Sequence, residues 1–177
     1  TAVLGHDPYQ GAVGPIHAGV IEPGHFRFHA VGERILHVDL RLFYKHRGLE
    51  RAAAGSTLED GARYVARACA ACAVTNGIAY AQAAEEALGL RAGTELARVR
   101  TILLELERVW SHLNDISAVC AGTGLAAGAQ RFAGLTERAR RLNARLTGHR
   151  FLFGSVRVGH SDVTLDVSVK REACTLN

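Results

Sequence analysis

The sequence predicts an α+β fold: an N-terminal antiparallel β-hairpin or small sheet, then a mainly α-helical bundle, then a short C-terminal strand. Three observations carry this reading. Residues 11–46 alternate apolar and polar side chains, as in Phe26, Phe28 and Ala30 and then Ile35, Val38, Leu40 and Leu42. From about residue 57 the apolar spacing changes to steps of three and four. Aromatic residues are only 6% while alanine is abundant, which favours closely packed helices over a β-sandwich.

The sheet is expected within 11–46, with "VGE" at 31–33 turning between two antiparallel strands. Helices are expected over 57–67, 70–88, 93–121 and 126–147, punctuated by Gly89, Gly93, Gly122, Gly124 and Gly148. "FGSVRVGH" and "VTLDVSV" read as the closing strand. The length of 177 residues suits one domain over 1–177, with a β region at 11–46 and a helical bundle at 57–148. The chain starts at Thr1 without methionine and stops at Asn177 after a strand-like run, so it is expected to be the N-terminal part of a longer subunit.

Composition narrows the function classes. Hydrophobic residues make up 48%, which argues against disorder. The formal charge of +4 comes from arginines spread along helices, without the aromatic-interleaved basic stripe of a nucleic-acid binder. No transmembrane segment or leader is evident. Four scattered cysteines do not form a disulfide scaffold, and a reducing compartment is expected.

The 93–121 helix carries a seam of Leu96, Val99, Leu103, Leu106, Trp110, Leu113, Ser117 and Cys120. A second line, Ile102, Glu105, Val109, His112 and Ile116, is apolar except for one acid and one histidine. The helix is therefore expected to be buried on two sides, with only Glu107, Ser111, Asn114 and Asp115 facing water. Glu105 is expected to be buried and paired with an arginine or histidine, Arg108 and His112 being within reach along the helix. Such a cluster is either a structural ion pair or a proton-handling or cofactor-supporting group.

Cys69 and Cys72, in "RACAAC", stand three apart at an expected helix start, so both sulfurs point to one side. Exposed backbone N–H groups there favour thiolate. A thioredoxin-type motif wants a preceding strand, whereas 57–67 reads as helix. A structural zinc site wants four ligands, and Cys120 and Cys174 are isolated. Two readings stay open: small core residues, or half of a metal site completed elsewhere in a longer chain. His25 and His29 alternate on a strand without a third ligand and read as structural.

Taken together, "GPIHAGVIEPGHFRF", "RLFYKHRGLE", "RACAAC" and "RTILLELERVWSHL" resemble, in order, the large subunit of nickel–iron hydrogenases. The similarity is to the energy-converting, formate hydrogenlyase-like type, homologous to the quinone-site subunit of respiratory complex I (NADH-quinone oxidoreductase). It runs from about Gly14 to His160. The resemblance implies an oxidoreductase subunit acting on hydrogen or quinone. Cys69 would be a terminal nickel ligand and Cys72 a nickel–iron bridge, with Glu22 transferring protons and Arg67 beside the metal site. His17 falls at the quinone head-group position, and Glu105, Arg108 and His112 match the E-x-x-R-x-x-x-H helix motif of the cofactor site.

The same resemblance implies a nickel–iron centre of which this chain holds half the ligands, with quinone as the alternative ligand and an iron–sulfur cluster in a partner. The implied partners are a small iron–sulfur subunit and other subunits of a membrane-bound complex. The implied location is cytoplasmic, peripheral on that face of the membrane. Two positions depart from the hydrogenase pattern: Ala70 replaces a glycine, and Asn76 stands where that motif has histidine and the metal-free complex I branch has asparagine. Cys174 has no partner three residues away. The alternatives are a metal-free complex I-like quinone-site or assembly subunit, and a structural helical protein docking through its basic face.

Overall fold

A computed structural model describes residues 9–17 and 22–164. The chain divides into two compact units, Thr1–Gly48 and Leu49–Asn177.

In the first unit three strands, β1 (Tyr9–Val13), β2 (His25–Val31) and β3 (Arg34–Arg41), form an antiparallel sheet in the order β1-β2-β3. The hairpin at 31–34 matches the expected turn: Gly32 takes φ +57°, the left-handed region that a two-residue hairpin demands. Leu36 is an extra residue on β3, since His29 pairs with His37 while Ala30 pairs with Ile35. The β1–β2 connection is fastened by Gly24 N–H to the Pro15 carbonyl, 3.0 Å. At Gly14, φ is +87° and a Cβ would lie 2.1 Å from the Gly24 carbonyl oxygen, so only glycine fits.

The second unit is helical: α1 (Leu49–Ala53), α2 (Leu58–Ala66), a 3₁₀ turn (Ala70–Cys72), α3 (Ala73–Ala87), α4 (Thr94–Gly122) and α5 (Ala126–Thr147). Thr57 caps α2 by accepting the Asp60 N–H at 3.2 Å. The pair α4–α5 forms a helical hairpin, while α3 packs on both α2 and α4. Val74, Val99, Leu103 and Leu152 make the buried centre, with Ile78, Leu104, Leu106 and Val156 around it. Gly61 lets α2 approach α3 closely, because a Cβ there would meet the Tyr80 hydroxyl at 2.3 Å.

The predicted seam of α4 faces inward at every position, from Leu96 to Cys120. The second line does not. Glu105, Val109, His112 and Ile116 are exposed, whereas Arg100 and Glu107 are buried. The helix is thus buried along one broad stripe, and that stripe widens toward its charged edge. Charges lie inside because each finds partners of opposite polarity there.

The expected closing strand is also corrected over its described part. Residues 153–164 run irregularly, and residues 165–169 lie outside the described residues, as does Cys174. Backbone groups that a ladder would use are engaged by side chains instead. Arg157 O accepts from Arg100 Nη2 at 2.9 Å, and Gly159 N–H donates to Glu85 Oε1 at 2.7 Å.

Candidate functional site

The chain leaves α2 at Arg67, runs extended through Cys69 (φ −145°, ψ 126°), and tightens into one 3₁₀ turn before α3 begins. Cys69 and Cys72 are the residues preceding the turn and α3 respectively. Their sulfurs approach to 3.2 Å, so the expected one-sided pair is formed. Cys69 is exposed and Cys72 half-buried. The turn packs against α4.

The thiolate expectation is overturned for Cys72, whose thiol is pushed up to about 11. Its hydrogen bond with Cys69 is the main cause, followed by burial, the Cys69 charge and the Glu107 charge. The N-terminal N–H groups of α3 do not serve the sulfurs. Val74 N–H donates to Glu107 Oε2 at 2.6 Å and Thr75 N–H to Glu107 Oε1 at 3.0 Å, with the Thr75 hydroxyl adding a bond of 2.7 Å. Glu107, read from the sequence as water-facing, is therefore a buried carboxylate capping α3 from another helix. Nothing local in the sequence marks it; the only hint is that α3 begins without a Ser, Thr, Asp or Asn cap.

A second buried pair lies along the same stripe of α4. Arg100 donates from Nη1 to Glu85 Oε2 at 2.9 Å and from Nη2 to Glu85 Oε1, a bidentate fork. Both residues are buried. The Arg100 hydrogen bonds hold the Glu85 carboxyl below its ordinary range against the opposing effect of burial, with help from Gly159 N–H.

Glu105 does pair with Arg108, at 3.1 Å, but both side chains are more than half exposed, which corrects the buried-pair expectation. At 100° per residue Glu105 lies about 160° around the helix from Glu107, on the side away from the core. His112 shares that exposed face. Glu105→Ala is accordingly expected to change unfolding free energy by no more than about 0.5 kcal/mol, measured by urea denaturation.

Arg67 donates from Nη1 to the Arg63 carbonyl at 2.9 Å, and its guanidinium lies 5.0 Å from the centre of the Phe153 ring. In the sheet unit, His17 Nε2 lies 2.7 Å from the Gly24 carbonyl, and its ring centre lies 5.8 Å from that of Phe26 in a T-shaped arrangement. Glu22 is exposed, with Lys45 Nζ at 3.4 Å. Among the described residues, no three His, Cys, Asp or Glu side chains form a group able to hold a metal. The donor set at the turn is two soft sulfurs, which fits half of a four-thiolate centre.

No family model matches the chain. It is 35% identical over 148 residues, 83% of its length, to formate hydrogenlyase subunit 5 of Escherichia coli (strain K12), covering 26% of that protein. It is 35% identical over 132 residues, 71% of its length, to a D-type subunit of NADH-quinone oxidoreductase from Solibacter usitatus (strain Ellin6076), covering 35% of that protein. The chain is a homologue of these oxidoreductase subunits. A chain of the membrane-bound sulfane sulfur reductase, an archaeal respiratory membrane complex, shares the fold with TM-score 0.78 at 24% identity, over 99% of this chain and 47% of that one. As a homologue of subunits of this kind, the chain spans about a quarter to a third of the curated relatives' length. Among the described residues no helix is long and apolar enough to cross a membrane.

Proposed function

We propose that this chain is part of the large subunit of a membrane-associated redox complex, in which Cys69 and Cys72 supply two of the four thiolates of a nickel–iron centre. The observation that carries the reading is the one-sided sulfur pair, 3.2 Å apart at the start of α3, in a homologue of hydrogenase subunits. When bound, the centre supplies heterolytic cleavage or formation of dihydrogen. The protein's own part is to hold two soft donors on a turn fixed by α3 and α4, with Arg67, two residues before Cys69, as a cation held by the Arg63 carbonyl and the Phe153 ring. Glu105, Arg108 and His112, exposed together with Val109 and Ile116, suit contact with a cofactor-bearing iron–sulfur subunit on the cytoplasmic side.

A second reading is favoured by Asn76, which stands where the hydrogenase motif has histidine. In it the chain belongs to the metal-free branch, and His17 faces a quinone head group.

Metal analysis separates the two. The 177-residue chain, prepared anaerobically with nickel, is expected to bind the metal weakly through Cys69 and Cys72, to lose it on Cys69→Ser, and to show no hydrogen-dependent dye reduction. Clear turnover by this chain alone refutes the half-centre assignment. No nickel binding by the fully reduced chain selects the metal-free branch.

A further inference from the structure

Cys69 and Cys72 differ in exposure although their sulfurs touch. Cys69 is open to solvent on an extended segment, and Cys72 is half-buried at the head of α3. A reagent in solution therefore reaches Cys69 first, while Cys72 is shielded from it but within 3.2 Å of whatever Cys69 carries. The remaining separation to a disulfide, about 1.2 Å from the covalent length of roughly 2.05 Å, lies within a side-chain rotation because the intervening turn already places both sulfurs on one side. The other described cysteine, Cys120, lies near the far end of α4 against Gly128 and does not belong to this pair.

We propose that Cys69 and Cys72 form a thiol–disulfide couple, with Cys69 the attacking and Cys72 the resolving sulfur, and that closing the disulfide shuts the pair to soft metal ions. The second half rests on the metal-ligand reading above. The co-reactant is a low-molecular-weight disulfide, R–S–S–R. The Cys69 thiolate attacks one of its sulfurs, breaking that S–S bond and expelling RS⁻, which leaves a mixed disulfide on Cys69. The Cys72 sulfur then attacks the Cys69 sulfur of that adduct, forms the Cys69–Cys72 bond and expels the second RS⁻. Two protein thiols are oxidised, R–S–S–R is reduced to two RSH, and the two thiol protons pass to the leaving groups. A disulfide sulfur carries no thiolate charge and is no longer a ligand for nickel.

The test uses the 177-residue chain in glutathione redox buffers, with peptide mass spectrometry over residues 67–80 and nickel(II) binding followed in parallel. The expected result is a peptide two hydrogens lighter on oxidation, restored by dithiothreitol, with nickel binding present in the reduced form and lost in the oxidised form. Cys72→Ser is expected to accumulate the glutathione adduct on Cys69, whereas Cys69→Ser gives little adduct on Cys72. Absence of the 69–72 disulfide at saturating oxidised glutathione overturns the proposal. So does a disulfide form that binds nickel as tightly as the reduced form, or an adduct that gathers on Cys72 in Cys69→Ser. A disulfide that forms while neither state binds nickel supports the couple and removes the metal-centre reading instead. The wild-type mass shift decides the first point even if a variant fails to fold.

Discussion

Glu85→Ala is expected to lower unfolding free energy by about 3–5 kcal/mol, because it strands the buried Arg100 guanidinium without its carboxylate. The loss extends beyond the pair. Gly159 N–H loses its acceptor, so the segment after α5 should loosen, read as faster amide exchange and proteolysis around residues 155–162. A double replacement of Glu85 and Arg100 by leucine should recover only part of the loss. It removes the stranded charge but still leaves the Arg157 carbonyl and the Gly159 N–H without their side-chain partners. The pH dependence has a definite sign. Arg100 holds the Glu85 carboxyl low in the folded state, so its contribution is complete above the unfolded value of roughly 4.3 and is lost as pH falls through the lower folded value. Wild type should therefore lose stability on acidification more steeply than Glu85→Gln, as measured by urea melts at successive pH values.

The same residues show what a one-dimensional pattern can and cannot reveal. The seam from Leu96 to Cys120 was legible, because apolar side chains repeating at the helical period must turn one way. The width of the buried stripe was not legible. Val109 and Ile116 look like core and lie outside, while Glu107 looks like surface and lies inside, as does Arg100, which neither apolar line includes. Their burial depends on partners 15 and 33 residues earlier in the chain, and no local spacing encodes such pairings. The closing strand failed over 153–164 for a related reason: α3 and α4 reach out and take backbone groups that strand pairing would need. Two short elements leave no pattern to read. β1 is five residues with a central glycine, and α1 is five residues, too short to show a period.

The cysteine pair divides along the same line. Its shared side was legible from the spacing of three, but the 3.2 Å contact is made by a tight turn, in which Cys72 N–H donates to the Cys69 carbonyl, and not by helical spacing, because Cys69 is extended. Its acidity depended on whether the head of α3 was free to act on it, which is decided by a residue on another helix.

That residue gives the second large effect. Glu107→Ala removes the acceptor from two backbone N–H groups and the Thr75 hydroxyl, with Val74 fully buried. Each buried donor left unpaired costs about 1–3 kcal/mol, so the substitution is expected to cost about 3–4 kcal/mol in a denaturant melt. Glu107→Gln keeps one carbonyl oxygen facing the head of α3 and should cost less, about 1–2 kcal/mol. It also separates stability from electrostatics at the cysteine pair. With the carboxylate charge gone, one of the causes that raise the Cys72 thiol disappears, although the Cys69 hydrogen bond and burial remain. Cys72 should then titrate below about 11 and react faster with iodoacetamide at a fixed alkaline pH, while the α3 helix stays formed. If Cys72 reacts no faster in Glu107→Gln than in wild type, Glu107 is a structural cap alone and has no hold on the chemistry of the sulfur pair.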